Sequence, residues 1–188
     1  MTVSEARIIL HFDVHQPIEL MELTLSFSAL AKQYRKFLVE GVKQSGSKIS
    51  DDDVKLYITK IENNCILAEL AGAASILGAL VPIMDYTNIF IDFTKNIAGS
   101  INYFRGLVGK EDKIEPKEIP YSKSQCADLA NFLNVVSKNH GGKLGISVAE
   151  YAKDDSEVRQ HVRFTFSSEE AHEAQKGALI AQRALEYR

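Results

Sequence analysis

The apolar side chains of residues 86–108 follow the period of an α-helix more strictly than those of any other stretch of the chain. They recur at spacings of three and four and predict one continuous apolar side: Tyr86, Phe90, Phe93, Ile97, Ile101, Phe104 and Val108. Ile89 and Ile91 lie outside this stripe, so the helix is apolar over more than one face. Such a helix needs two packing partners, and we expect these to be the protein's own sheet and a second subunit.

This second apolar face leads to a prediction of self-association or of binding to a partner protein. Six members of the stripe are the predicted interaction residues: Tyr86, Phe90, Phe93, Ile97, Ile101 and Phe104. The alternative is a core helix that packs only within its own chain, since an aromatic stripe at helical spacing is also typical of a core. The polar stretch that follows the helix is expected to share in the binding.

Residues 6–15 alternate between apolar and polar side chains and predict a half-buried strand. One predicted face carries Ile8, Leu10, Phe12 and Val14, and the other carries Ile9, His11, Asp13 and His15. Further alternation predicts two hairpins, one within residues 54–72 and the other within residues 143–166. Pro17 is expected to end the first strand, because proline has no N–H to donate to a sheet.

Helical periodicity covers three other stretches, residues 18–41, 122–142 and 167–188. Gly41 is a predicted C-cap of the first, and Ser167 with Glu170 has the spacing of a capping box at the start of the last. The element order is β-α-β-β-α followed by α-β-β-α, which contains the unit α-β-β-α twice. We therefore predict an α+β fold of antiparallel hairpins with helices layered on one face, and an internal pseudo-repeat.

Charge and proline content predict how the chain is divided. Residues 109–121 are polar and contain two prolines, which is typical of a linker. The sequence thus predicts an N-terminal βαββα unit at 1–108, this linker, and a C-terminal αββα unit at 122–188. A chain of 188 residues suits one compact domain overall.

His11, Asp13 and His15 form the one cluster in the sequence that resembles a metal site. Alternate positions of a strand lie about 7 Å apart on one face, so three successive ligands need a bulge or a ligand from elsewhere. If the strand that carries His161 and Arg163 lay beside the first strand, the polar faces would merge, and the arginines would favour an anion over a cation. The simpler interpretation is that His11, Asp13 and His15 form the solvent-exposed face of a half-buried strand.

Composition and motifs exclude several classes of function. A net charge of −3 with interspersed basic residues argues against nucleic-acid binding. Cys65 and Cys126 form no CxxC pair, and two reduced thiols in a cytoplasmic protein are expected. The sequence contains no nucleophile elbow, phosphate-binding loop or dinucleotide fingerprint, so no cofactor and no catalytic residue is predicted.

Residues 70–84 contain no charged side chain, which raises the question whether they insert into a membrane. The stretch is shorter than the roughly 20 apolar residues of a spanning helix, and Pro82 interrupts it. We expect a buried strand end and helix start there, and no secretory signal at the N-terminus. The sequence therefore predicts a cytoplasmic, non-catalytic interaction module that self-associates. The alternatives are a metal-binding protein or enzyme that uses His11, Asp13 and His15, and a membrane-acting protein that inserts residues 70–84.

Overall fold

The computed structural model describes residues 5–45, 54–62, 66–72, 86–154 and 156–187 of the chain. Their strands are β1 (Glu5–Asp13), β2 (Leu56–Glu62), β3 (Ile66–Gly72), β4 (Lys143–Tyr151) and β5 (Glu157–Ser167). Their α-helices are α1 (Leu20–Ser45), α2 (Tyr86–Arg105), α3 (Lys123–Ser137) and α4 (Ser168–Glu186). Two short 3-10 helices, Glu111–Lys113 and Pro116–Glu118, precede α3.

The five strands form one antiparallel sheet in the order β2-β3-β1-β4-β5. β1 therefore lies between the two hairpins, with Ile8 opposite Leu70 and Leu10 opposite Ala68 on β3. The predicted α+β class, element order and antiparallel hairpins are confirmed. The internal pseudo-repeat stays a prediction.

β1 shows the burial pattern that its sequence predicts. Ile8, Leu10 and Phe12 are at most 1% exposed, whereas His11 and Asp13 on the other face are half-buried. The strand ends at Asp13, so the expectation that His15 extends its polar face is wrong. The chain leaves the sheet because the Gln16 backbone N–H donates to Asn139 Oδ1 at 3.3 Å instead of to a strand, one residue before Pro17.

The first hairpin has the predicted strands but an irregular edge. The register between β2 and β3 shifts between Ile58 and Lys60. Ile58 is 48% exposed, so the apolar side chains of β2 are only partly covered. Cys65, within the stretch predicted as the first hairpin, lies outside the described residues, while Cys126 is buried in α3.

The chain divides into two compact units, and the predicted division into 1–108, a linker at 109–121 and 122–188 stays a prediction. Unit 1 comprises the described parts of residues 1–12, 34–96 and 145–165, and unit 2 comprises residues 13–33, 97–144 and 166–187. The interleaving follows from the sheet, because β1, β3, β4 and β5 are neighbours although they come from both ends of the chain.

Unit 1 has an aromatic cluster where α1 meets α2. The Tyr34 ring lies 5.1 Å from Phe93 and 5.9 Å from Phe90, both distances between ring centroids. Tyr86, at the start of α2, covers Gly72 so closely that a Cβ there would lie 2.5 Å from its ring. The first turns of α2 thus pack on the end of β3, as expected for a helix that covers an apolar sheet face.

Unit 2 is built around the pair α3 and α4. Alanines on α4 are fully buried at four positions: Ala171, Ala174, Ala178 and Ala181. Gln175 donates to the Ala130 carbonyl at 3.0 Å and to Asn134 Oδ1 at 3.1 Å. The stretch predicted as a linker belongs to this unit, because Ile119 is buried and the Tyr121 ring lies 4.8 Å from the ring of Phe104.

The ends of the helices confirm one capping prediction and correct another. Ser167 and Glu170 form the predicted capping box at the start of α4. Backbone N–H groups at this end, with the Ser167 hydroxyl, hold the pKa of Glu169 below its usual value. Gly41 is not a C-cap, since α1 continues to Ser45 and the positive φ that glycine permits occurs, among the described glycines, at Gly109 and Gly141.

We expect Ser167→Ala to lower the free energy of unfolding by about 1 kcal/mol, because the Glu170 N–H loses the serine hydroxyl as its acceptor. Urea denaturation followed by circular dichroism measures the change. Ser28→Ala, on an exposed part of α1, is the control and should change stability little. Equal effects of the two substitutions would contradict a stabilising role for this cap.

Candidate functional site

The residues predicted to bind a partner lie in the interior of the chain. The six side chains predicted as the interaction surface are each at most 8% exposed: Tyr86, Phe90, Phe93, Ile97, Ile101 and Phe104. Ile89 and Ile91 are only half-buried, and α2 ends at Arg105, before Val108. A docking surface in this folded state therefore has to use other side chains, because burial in the protein's own core has already removed these six from water.

His11, Asp13 and His15 have different surroundings. His11 lies on β1 in unit 1, where a Cβ added to Gly145 of β4 would be 3.3 Å from the His11 Cβ. Asp13 and His15 belong to unit 2, and the His15 ring lies beside Gly141. No group of three histidine, cysteine, aspartate or glutamate side chains suited to a metal ion occurs among the described residues. A metal site at these residues stays a prediction to which the described geometry adds no support.

The strand that carries His161 does not lie beside β1, because β4 separates them. His161 Nε2 lies 3.2 Å from Glu150 Oε2, and Glu150 Oε1 accepts a hydrogen bond of 3.3 Å from Thr87. His161 on β5 thus lies close to Glu150 on β4, but no hydrogen bond to Nε2 forms among the described residues. The polar faces of β1 and β5 therefore do not merge as those of adjacent strands would.

A cavity of about 330 Å³ lies over β3, β1, β4 and β5 in unit 1. Its lining combines apolar and polar side chains: Ile9, His11, Leu67, Glu69, Gly145, Ile146, Ser147, Tyr151, Glu157, Gln160 and Arg163. His11 and Arg163, two residues of the predicted polar patch, both line it although β4 separates their strands. The volume lies at the lower end of the range for small-molecule pockets.

A buried ion pair supports one wall of this cavity. Arg7 Nη1 donates to Glu69 Oε2 at 2.7 Å, and the two side chains are 11% and 7% exposed. The Arg7 guanidinium also lies 4.7 Å from the centre of the Tyr151 ring, at cation–π distance. Glu69 and Tyr151 line the cavity, so Arg7 contacts two of the lining residues.

Sequence analysis did not single out Arg7, Glu69 or Tyr151. A signal was present, because Glu69 is a charged residue inside the otherwise apolar β3 and Arg7 is a basic residue on the polar face of β1. Their pairing depends on register, which places Glu69 opposite Ile9, diagonal to Arg7 on the same face. Register is a tertiary property that a single strand pattern does not encode.

A second surface feature is the outer edge of β5, the last strand of the sheet. Residues 157–160 are all exposed, and Val158 is 61% exposed. No other described strand pairs with this edge. An unpaired edge that carries an exposed β-branched residue is able to accept another strand.

Of the stretch predicted to act on membranes, residues 70–72 complete β3 and residues 73–84 lie outside the described part of the chain. Among the described helices, none combines the length and the apolar character required to cross a bilayer.

No protein-family model, curated protein or solved structure matches this chain.

Proposed function

We propose that this chain is a non-catalytic protein-interaction module that self-associates by pairing the outer edge of β5 with the same edge of a second copy. The observation that carries this proposal is the exposure of residues 157–160 on a terminal strand. Backbone N–H and C=O groups along such an edge gain partners when another strand pairs with it. The product would be a continuous ten-stranded sheet across two copies, five strands from each.

The sequence of β5 is complementary to itself when two copies run antiparallel. With the two-fold axis at Gln160, Glu157 of one copy lies opposite Arg163 of the other, and Val158 lies opposite Val162. Each pair occurs twice in the dimer because the interface is symmetric. Opposite charges and β-branched side chains at such positions stabilise strand pairing by about 0.2–1 kcal/mol per pair. This complementarity selects a second copy of the chain as the occupant of the edge.

The other terminal strand, β2, is less suited to this role. Its register shifts between Ile58 and Lys60, and an irregularity of this kind twists an edge away from flat pairing. β5 also has 11 residues against 7 in β2, which gives a longer ladder of backbone hydrogen bonds. The proposed interface is therefore at β5.

Charge reversal tests the proposed pairing directly. Glu157→Arg would place like charges opposite each other twice, and Arg163→Glu would do the same with the opposite sign. We expect each single substitution to weaken dimerisation by about 2 kcal/mol, or roughly 30-fold in dissociation constant. The double variant Glu157→Arg/Arg163→Glu restores opposite charges and should regain most of the affinity. Sedimentation velocity over a concentration series measures these constants.

Glu118→Arg, an exposed reversal in the second 3-10 helix, is the matched control and should leave the dissociation constant unchanged. A wild-type protein that stays monomeric at millimolar concentration would overturn the proposal. A dimer that is indifferent to both single reversals would place the interface elsewhere and would overturn the proposed edge.

A further inference from the structure

We propose that the cavity over β3, β1, β4 and β5 binds a small uncharged ligand with neighbouring hydroxyl groups and one apolar face, the chemistry shared by free sugars and nucleosides. The proposal does not require self-association, although Glu157, Gln160 and Arg163 belong both to the lining of the cavity and to the proposed β5 edge. It is carried by the lining of the cavity and by the ion pair of Arg7 with the lining residue Glu69.

Charge balance around the cavity favours a ligand without net charge. The Glu69 carboxylate pairs with Arg7 at 2.7 Å, and the more exposed Glu5 lies further from the same guanidinium, at 3.5 Å. The two remaining formal charges of the lining, those of Glu157 and Arg163, are opposite and both exposed. These two charges cancel in sum, so the lining attracts neither sign of charge overall, and the burial of an uncompensated charge is costly.

The polar lining offers both donors and acceptors at close quarters. Ser147 and His11 can each donate and accept, the Gln160 amide does both, and the carboxylate of Glu69 accepts. Glu69 Oε2 is engaged by Arg7, which leaves Oε1 as the acceptor for a ligand. A hydroxyl group is itself donor and acceptor, so a run of hydroxyls matches this alternation better than an amine or a carboxylate does.

The apolar lining supplies the other half of the recognition. Ile9 and Leu67 contribute aliphatic surface, and Tyr151 contributes an aromatic ring. Pockets that hold small molecules combine such surface with a few fixed polar groups. The C–H face of a sugar ring, or the base of a nucleoside, would cover this apolar surface while the hydroxyls turn to the polar side.

The site is held in place before a ligand arrives. The ion pair fixes the Glu69 carboxylate, and the guanidinium of Arg7 also contacts Tyr151. Gly145 leaves room beside His11, because a Cβ there would press on the histidine side chain at 3.3 Å. Preorganised groups lose less entropy on binding, so even a small ligand can reach a measurable affinity.

Saturation-transfer-difference NMR with glucose, ribose and adenosine as separate probes tests the proposal, with glucose 6-phosphate as the charged counterpart. We expect saturable binding of at least one neutral probe in the millimolar range or tighter, with weaker binding of the phosphate. The three neutral arms distinguish a pyranose, a furanose and a nucleoside as the preferred source of the hydroxyls.

Ser147→Leu fills the cavity and removes a hydroxyl without touching the ion pair, and it should weaken binding at least 10-fold. Ser28→Leu, the same change on an exposed part of α1, should leave binding unchanged. The double variant Arg7→Met/Glu69→Leu removes the carboxylate while it conserves net charge, and should also lose binding. Absence of saturation with all three neutral probes, preference for the phosphate, or full binding by Ser147→Leu would overturn the proposal.

Discussion

Gly177→Ala is expected to destabilise the protein by about 3 kcal/mol, because the added methyl group has no room. A Cβ at this position would lie 1.8 Å from the carbonyl oxygen of Phe104 and 2.6 Å from its carbonyl carbon. Both atoms belong to backbone, so a side-chain rotation cannot relieve the overlap. α4 would have to move away from the end of α2 and lose packing along its alanine face.

Chemical denaturation with urea measures this effect, and a matched substitution serves as its control. Gly99 lies in the middle of α2, exposed, with nothing within 4 Å of the position that a Cβ would take. Gly99→Ala should therefore stabilise the protein by about 0.5–1 kcal/mol through helix propensity alone. If Gly177→Ala were also neutral or stabilising, the close approach of α4 to the Phe104 backbone would be refuted.

Arg7→Met is expected to lower the free energy of unfolding by about 3–5 kcal/mol, an effect of the same order as that of Gly177→Ala. The substitution keeps most of the volume of the side chain but leaves the Glu69 carboxylate, which is 7% exposed, without its cation. It also removes the cation–π contact with Tyr151. Most of the cost arises from the buried charge that is left behind, rather than from the lost attraction.

The double variant Arg7→Met/Glu69→Leu separates these contributions. Replacement of both partners by apolar side chains removes the buried charge, so we expect stability to return to within about 1 kcal/mol of the wild type. Urea unfolding of both single variants and the double variant completes the cycle. A double variant as unstable as Arg7→Met would show that the site depends on Arg7 for more than charge compensation.

Local patterns predicted the elements of this fold well. The alternation in β1 correctly predicted which side chains are buried, because Ile8, Leu10 and Phe12 lie two residues apart and share one face of a strand. The spacing of apolar residues in α2 likewise predicted which of its side chains are buried, but not what covers them. Periodicity shows that one face of a helix is apolar but does not identify what packs against that face. Here Phe90 and Phe93 pack against Tyr34 of the same chain.

Long-range features lay beyond the sequence patterns. His15 was placed on the strand because alternation continues past Asp13, yet a hydrogen bond from Gln16 to a residue far along the chain ends the pairing. The cavity was missed for a related reason. Its wall depends on the register between β1 and β3 and on the strand order, which join Arg7, Glu69 and Tyr151 from distant segments.

The central position of β1 bears on how the protein is made. β1 leaves the ribosome before either of its neighbours, and β4 is not synthesised until residues 143–151. Until β4 is made, Ile8, Leu10 and Phe12 belong to a strand whose pairing is incomplete on at least one side. Such a nascent segment is prone to aggregate and is a natural substrate for chaperones. The central strand of the finished sheet thus lacks one of its two neighbouring strands until β4 has been synthesised.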